Sequence, residues 1–180
     1  MIDWSKISLK ELAGFLSEEL RKRGIDTVLV GGACVTIYSE NRYQSYDLDY
    51  VTYEDMKKVK KALQELEFTE RNRYFEHEGC QWIVEFVSPP VAVGSESVQE
   101  FNSIMTPLGT IKLLRPVDSV KDRLSSFYHW DDKQGLEQAM SICLEQKIDF
   151  SEVEAWSLKE EQEKKFRVFE ELLKKRRQEQ

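Results

Sequence analysis

At 180 residues, the chain is long enough to bury a substantial core and too short for two large domains. A hydrophobic share of 41% and a charged share of 33% are those of a folded, well-solvated protein and exclude wholesale disorder. A formal charge of −7 argues against a broad nucleic-acid footprint, which needs excess Lys and Arg to displace phosphate counterions.

The N-terminus reads Met-Ile-Asp-Trp-Ser-Lys, with no basic start leading into an apolar run. No window approaches the roughly 18 apolar residues of a membrane span, so a cytoplasmic location with no membrane partner is expected. Ser8 and Glu11 have capping-box spacing, and Leu9, Leu12, Leu16 and Leu20 recur at helical intervals, predicting a helix that ends at Gly24. The β-branched, apolar run 26–32 closes on Gly31-Gly32 and reads as a buried strand, followed by a short helix over 33–39. Asp47-Leu-Asp-Tyr-Val-Thr52 reads as the second strand. Thr52 and Asp55 can open the next helix, whose apolar face includes Met56, Val59, Leu63 and Leu66.

Further strands are predicted around 73–77, 81–87, 98–105 and 110–114, punctuated by Pro89, Pro90, Gly94, Pro107 and Gly109. After Pro116 the pattern turns helical: about 117–128, about 132–146, and one or two more from the Ser151 and Ser157 capping boxes. The expectation is an α+β fold, a mixed β-sheet with flanking helices (core 1–115) and a C-terminal helical extension (116–180) packed on it. Cys34, Cys80 and Cys143 are odd in number and unpaired in spacing, and read as reduced thiols. His77 and Cys80 lack a second pair to complete a metal site. The basic run Lys174 to Arg177 reads as a solvated helix end.

Chemistry concentrates at Asp47 and Asp49. On a strand their carboxylates share one face, while Leu48 and Tyr50 share the other. Two anions so close raise each other's pKa unless a cation intervenes, and oxygen-only ligands favour Mg2+ or Mn2+. Glu85 lies in the apolar run Trp82-Ile-Val-Glu-Phe-Val87, where an isolated ionised carboxylate is costly; it reads as a third acid or as an ordinary edge residue. Gly31 and Gly32 let the backbone approach a triphosphate at the start of a helix, although glycines also end strands simply to turn. Ser45 reads as a hydroxyl donor to phosphate or as a residue shaping the turn.

The passage Val28-Leu-Val-Gly-Gly-Ala, followed by Ser45-Tyr-Asp-Leu-Asp-Tyr-Val51, resembles the signature of the nucleotidyltransferase superfamily. Within it, the chain is similar to small prokaryotic proteins related to the toxins of type IV toxin-antitoxin systems. The resemblance covers roughly residues 25–90, and more weakly Leu114 to Leu124 and Tyr128 to Lys133. Val30 stands where toxin relatives often carry a lysine. The resemblance implies a nucleotidyltransferase-like mixed sheet, Asp47, Asp49 and Glu85 as catalytic metal ligands in a two-metal transfer, and Gly31 and Gly32 holding phosphate. If the helical part folds over the cleft, Lys121, Arg123 and His129 are candidates to steer triphosphate or acceptor, Lys121 first because its segment matches relatives, against the plainer reading of each as a surface or structural residue. Tyr128 and Trp130 could stack a base but read better as core.

The expected function is metal-dependent transfer of a nucleoside monophosphate from a nucleoside triphosphate to a hydroxyl of RNA, a protein or a small molecule. The alternative is a non-catalytic nucleotide-binding module, or a toxin-antitoxin-type module with an antitoxin-like partner protein. The plainest reading makes the acids surface decoration of an unrelated α+β domain. No Gly-Lys-Ser/Thr phosphate loop, Gly-x-Ser-x-Gly elbow or His-Glu-x-x-His helix supports a hydrolase or kinase.

Overall fold

The structure, a computed structural model, describes residues 2–179. Helix α1 (Leu9–Lys22) begins at the Ser8 capping box, with Ser8 Oγ accepting from the Glu11 amide and Glu11 accepting from the Ser8 amide. Strand β1 (Val28–Val30) leads into α2 (Gly31–Tyr38), and β2 (Asp47–Val51) into α3 (Met56–Glu65). Asp55 alone caps α3; Thr52 instead donates its hydroxyl to the Asp26 carbonyl. A three-strand excursion follows: β3 (Phe68–Arg71), β4 (Tyr74–His77) and β5 (Ile83–Val87). A small ribbon, β6 (Ala92–Val93) with β7 (Glu96–Ser97), precedes the hairpin β8 (Phe101–Thr106) and β9 (Gly109–Leu114).

Seven strands form one mixed sheet in the order β3-β4-β5-β2-β1-β9-β8, with β2–β5 and β1–β9 parallel and the other pairs antiparallel. Side chains alternate across it. Leu29, Leu48, Tyr50, Val84, Ile111 and Leu113 are fully enclosed, and the Tyr50 hydroxyl donates to the Ala13 carbonyl of α1. That face is therefore sealed by α1, with Leu12, Leu16 and Leu20 buried against it. Each such side chain contributes about 1.5–3 kcal/mol on burial.

Four helices complete the chain: α4 (Pro116–Trp130), α5 (Lys133–Glu145), α6 (Phe150–Lys159) and α7 (Glu163–Gln178). Helices α4 and α5 pack on α2, and α6 and α7 pack in turn on α4 and α5. Their apolar residues and those of the sheet belong to one continuous core.

Several local expectations are corrected. Strand β3 escapes the pattern because only Phe68 of its four residues is buried, and β6 and β7 are two residues each. Helix α6 is capped by Asp149, and Ser157 sits inside it, bonded to the Val153 carbonyl and the Tyr128 hydroxyl. Trp130 is 83% exposed at the end of α4, not core, whereas Tyr128 is buried and stacked on Trp156. The basic run is not simply solvated: Arg176 pairs with Glu137, and Arg177 donates to the Cys143 carbonyl, tying α7 to α5. His77 is buried, stacked on Trp4.

Candidate active site

The parallel pairing of β2 with β5 sets the site. Asp49 lies directly opposite Glu85, and Asp47 opposite Ile83, so Asp47, Asp49 and Glu85 share the sheet face away from α1. Neighbouring strands are about 5 Å apart, which brings the Asp49 and Glu85 carboxyls onto one rung. On the other side of β2, Val30 pairs with Asp49, and the chain then turns at Gly31 with φ +68°. The strand ends there and the glycine pair opens α2 rather than closing β1. A Cβ on Gly31 would lie 2.5 Å from Asp49 Oδ2, so only glycine leaves the carboxylate its place. Helix α2 starts at Val30, which offers no side-chain cap to the first-turn amides.

These residues line a cleft of about 480 Å³. Its far wall comes from α4, through Asp122 and Arg123, and from the segment before β6, through Pro90 and Val91. Burial pushes the Asp49 carboxyl up to about 7, reinforced by Asp47 and Glu85, with Arg123 opposing. Arg123 is held by Asp122 (Nε to Oδ2, 3.1 Å) and by Gln138 (3.3 Å).

Not every expected residue reaches the cleft. Ser45 is buried and its hydroxyl donates to Asp47 Oδ1 at 2.6 Å, so it positions the first aspartate instead of facing a phosphate. A relay runs back from it: the Ser45 amide donates to Thr36 Oγ1, whose hydroxyl reaches the Gly32 carbonyl. Gly32 packs on Ser45, with 2.9 Å from a built Cβ to Oγ. Lys121 is 3% exposed, and its ammonium bonds Glu152 at 2.8 Å in a separate cluster with Asp118 and Arg115. It points to the opposite side of α4 from the cleft, where the cation is Arg123, two residues on. His129 is engaged by Glu160.

The three acids share a face, yet each side chain is separately engaged. Asp47 accepts from Ser45, Glu85 pairs with Arg73 at 3.2 Å, and Asp49 lies on Gly31. Consequently no set of three or more His, Cys, Asp or Glu side chains among the described residues converges as a metal cage. The donor chemistry nonetheless fits a small divalent cation: hard carboxylate oxygens on adjoining strands, one of them raised by burial and by its acidic neighbours. Gathering them around one ion needs Glu85 to leave Arg73, whose side chain is 70% exposed.

Sequence reasoning missed Asp122 and Thr36. Thr36 carried a signal, its spacing of four from Gly32 on a helix; Asp122 carried none.

No protein-family model and no curated protein sequence matches the chain. Among solved structures it is similar to an antigenic nucleotidyltransferase-like protein from Paracoccidioides brasiliensis, with TM-score 0.58, 16% identity and 74% of each chain covered. It is also similar to the antibiotic-resistance factor ANT(2'')-Ia, with TM-score 0.50, 12% identity, and 99% of this chain and 100% of that one covered. At these identities the likeness is one of architecture, and the chain has a nucleotidyltransferase-like α+β fold.

Proposed function

We propose that the protein transfers a nucleoside monophosphate from a nucleoside triphosphate to a hydroxyl acceptor. One observation carries this reading: Asp49, Asp47 and Glu85 share one face beside the Gly31 turn, with the Asp49 carboxyl raised to about 7 by burial and by its acidic neighbours. A fold that keeps such an arrangement gains stability only when positive charge arrives.

Magnesium or manganese held by Asp47, Asp49 and Glu85 would supply that charge and the Lewis acidity of the transfer. The chain's own residues do the rest. Backbone amides at Gly31 and Gly32 open α2 toward the phosphates, aided by the helix dipole. Arg123, fixed by Asp122 and Gln138, offers a planar cation to the triphosphate and takes the role expected of Lys121. Ser45 holds Asp47 in orientation. As the acceptor oxygen bonds to the α-phosphorus and the bond to pyrophosphate breaks, the hydroxyl proton would pass to a carboxylate of this acid group.

The test is incubation with labelled triphosphates, magnesium and a panel of acceptors, beside calorimetric binding of magnesium-ATP. Wild type is expected to bind and transfer, Asp49→Asn to lose transfer, and Arg123→Gln to bind about tenfold more weakly. Equal behaviour of wild type and Asp49→Asn in both assays would sink the reading.

A further inference from the structure

The cleft is polar at one end and apolar at the other, with the acid rung between. Gly31 and Gly32 lie toward the start of β2, since Val30 pairs with Asp49 and Gly32 packs on Ser45. In the opposite direction, the next rung after Asp49 and Glu85 is Val51 beside Val87, in register on the same face. Beyond it the lining continues through Ser88, Pro90, Val91 and Ala92, none of them basic. Val51 and Val91 are almost wholly enclosed, forming floor and wall.

That wall is built and braced. The β6–β7 turn is clasped by α6: the Ser95 amide and hydroxyl donate to Glu160 Oε1 at 2.9 and 2.5 Å, and Lys159 reaches Glu96 at 3.1 Å. Gly94, with φ +57°, makes this approach feasible, because a Cβ there would lie 2.7 Å from the Glu160 carboxylate. The apolar wall is thus anchored to the helical half through its own charged contacts.

Displacement at phosphorus is in line, so the attacking hydroxyl enters from the side opposite the departing pyrophosphate. With the phosphates at the glycine end, the acceptor occupies the valine end. We propose, resting on the nucleotidyl-transfer reading, that the acceptor is a small molecule carrying its reactive hydroxyl beside an apolar face, which packs on Val51, Val87 and Val91. An RNA acceptor would meet carboxylates and valines there, with Arg73 and Arg123 already engaged by Glu85 and Asp122.

Methyl-resolved NMR of the full chain tests this, with cyclohexanol, a short single-stranded RNA and magnesium-ATP as separate probes. Cyclohexanol is expected to shift the Val51, Val87 and Val91 methyls saturably, the RNA to leave them in place, and Val87→Thr to weaken the alcohol's binding about threefold or more. Absence of saturable shifts, movement of these methyls by RNA alone, or unchanged binding to Val87→Thr would overturn the proposal. Magnesium-ATP is read at the Gly31 and Gly32 amides. Their failure to respond removes nucleotidyl transfer and the acceptor assignment together; responding glycines with silent valines remove only the acceptor assignment.

Discussion

Two charge clusters sit on opposite sides of α4, and they are built on opposite principles. Around Lys121 each anion has a cation: Arg115 bonds Asp118 at 2.6 Å, Glu152 at 2.9 Å and Glu100 at 3.3 Å, Lys121 bonds Glu152 at 2.8 Å, and Lys159 reaches Glu96 at 3.1 Å. Burial disfavours an ionised Glu152, but Lys121 and Arg115 more than offset it and leave its carboxyl below the usual range. In the cleft, Asp47, Asp49, Glu85 and Asp122 meet Arg123, and Arg73 reaches Glu85 from the exposed rim, yet Asp49 is driven up to about 7 by burial and its acidic neighbours. The fully paired cluster ties α4 to α6. The cleft leaves Asp49 without a paired cation, and it is this difference on which the proposed function rests.

The sharpest way to break this contrast is to substitute one member on each side. Asp49→Asn is expected to lower nucleotide transfer by about a thousandfold, or ~4 kcal/mol of barrier, in a labelled-triphosphate assay. Lys121→Met is expected to cost about 1–2 kcal/mol in urea unfolding, since it removes a buried ammonium from Asp118 and Glu152, which Arg115 still holds, while leaving magnesium-ATP affinity in the folded protein unchanged. A large loss of affinity in Lys121→Met would merge the two clusters into one site.

A pH series sharpens the same point. The folded-state pKa of Asp49 is raised, from an unfolded value of about 3.9. The native state therefore binds the extra proton, and metal-free stability falls as pH rises from about 4 through about 7, by about 1–2 kcal/mol after allowance for solvent screening. Asp49→Asn should flatten this slope and exceed wild type in metal-free stability at pH 8; added magnesium should restore the wild type. A slope that survives the substitution would place the titrating group elsewhere. The smallest effect expected is on the brace: Glu160→Gln should cost about 1 kcal/mol and speed hydrogen exchange at the Ser95 amide without altering magnesium-ATP binding.

Much of this was legible from residue order. The period-two spacing of Asp47 and Asp49 put both acids on one face, and Glu85, read as a third acid or an ordinary edge residue, lies on the strand that pairs with theirs. What stayed hidden was direction around a helix. Lys121 and Arg123 are two apart on α4, so about 200° separates them, and one faces the cleft while the other is buried in its ion cluster. Only the packing of α4 on α2 decides which is which. Ser45 misled for a related reason: its hydroxyl suited a phosphate, but the tight approach to β2 left Asp47 as its nearest acceptor.

The chain leaves the site after β2, builds α3, β3 and β4 along the far edge of the sheet, and re-enters beside β2 as β5. The ladder between β2 and β5 holds Asp49 against Glu85, and the detour touches that rung through Arg73, which pairs with Glu85 at 3.2 Å. A change at the β3–β4 turn that displaces Arg73 takes the cation from Glu85 while the strand register stays in place. A one-residue slip of β5 itself would send Glu85 through the sheet toward α1 and break up the acid rung.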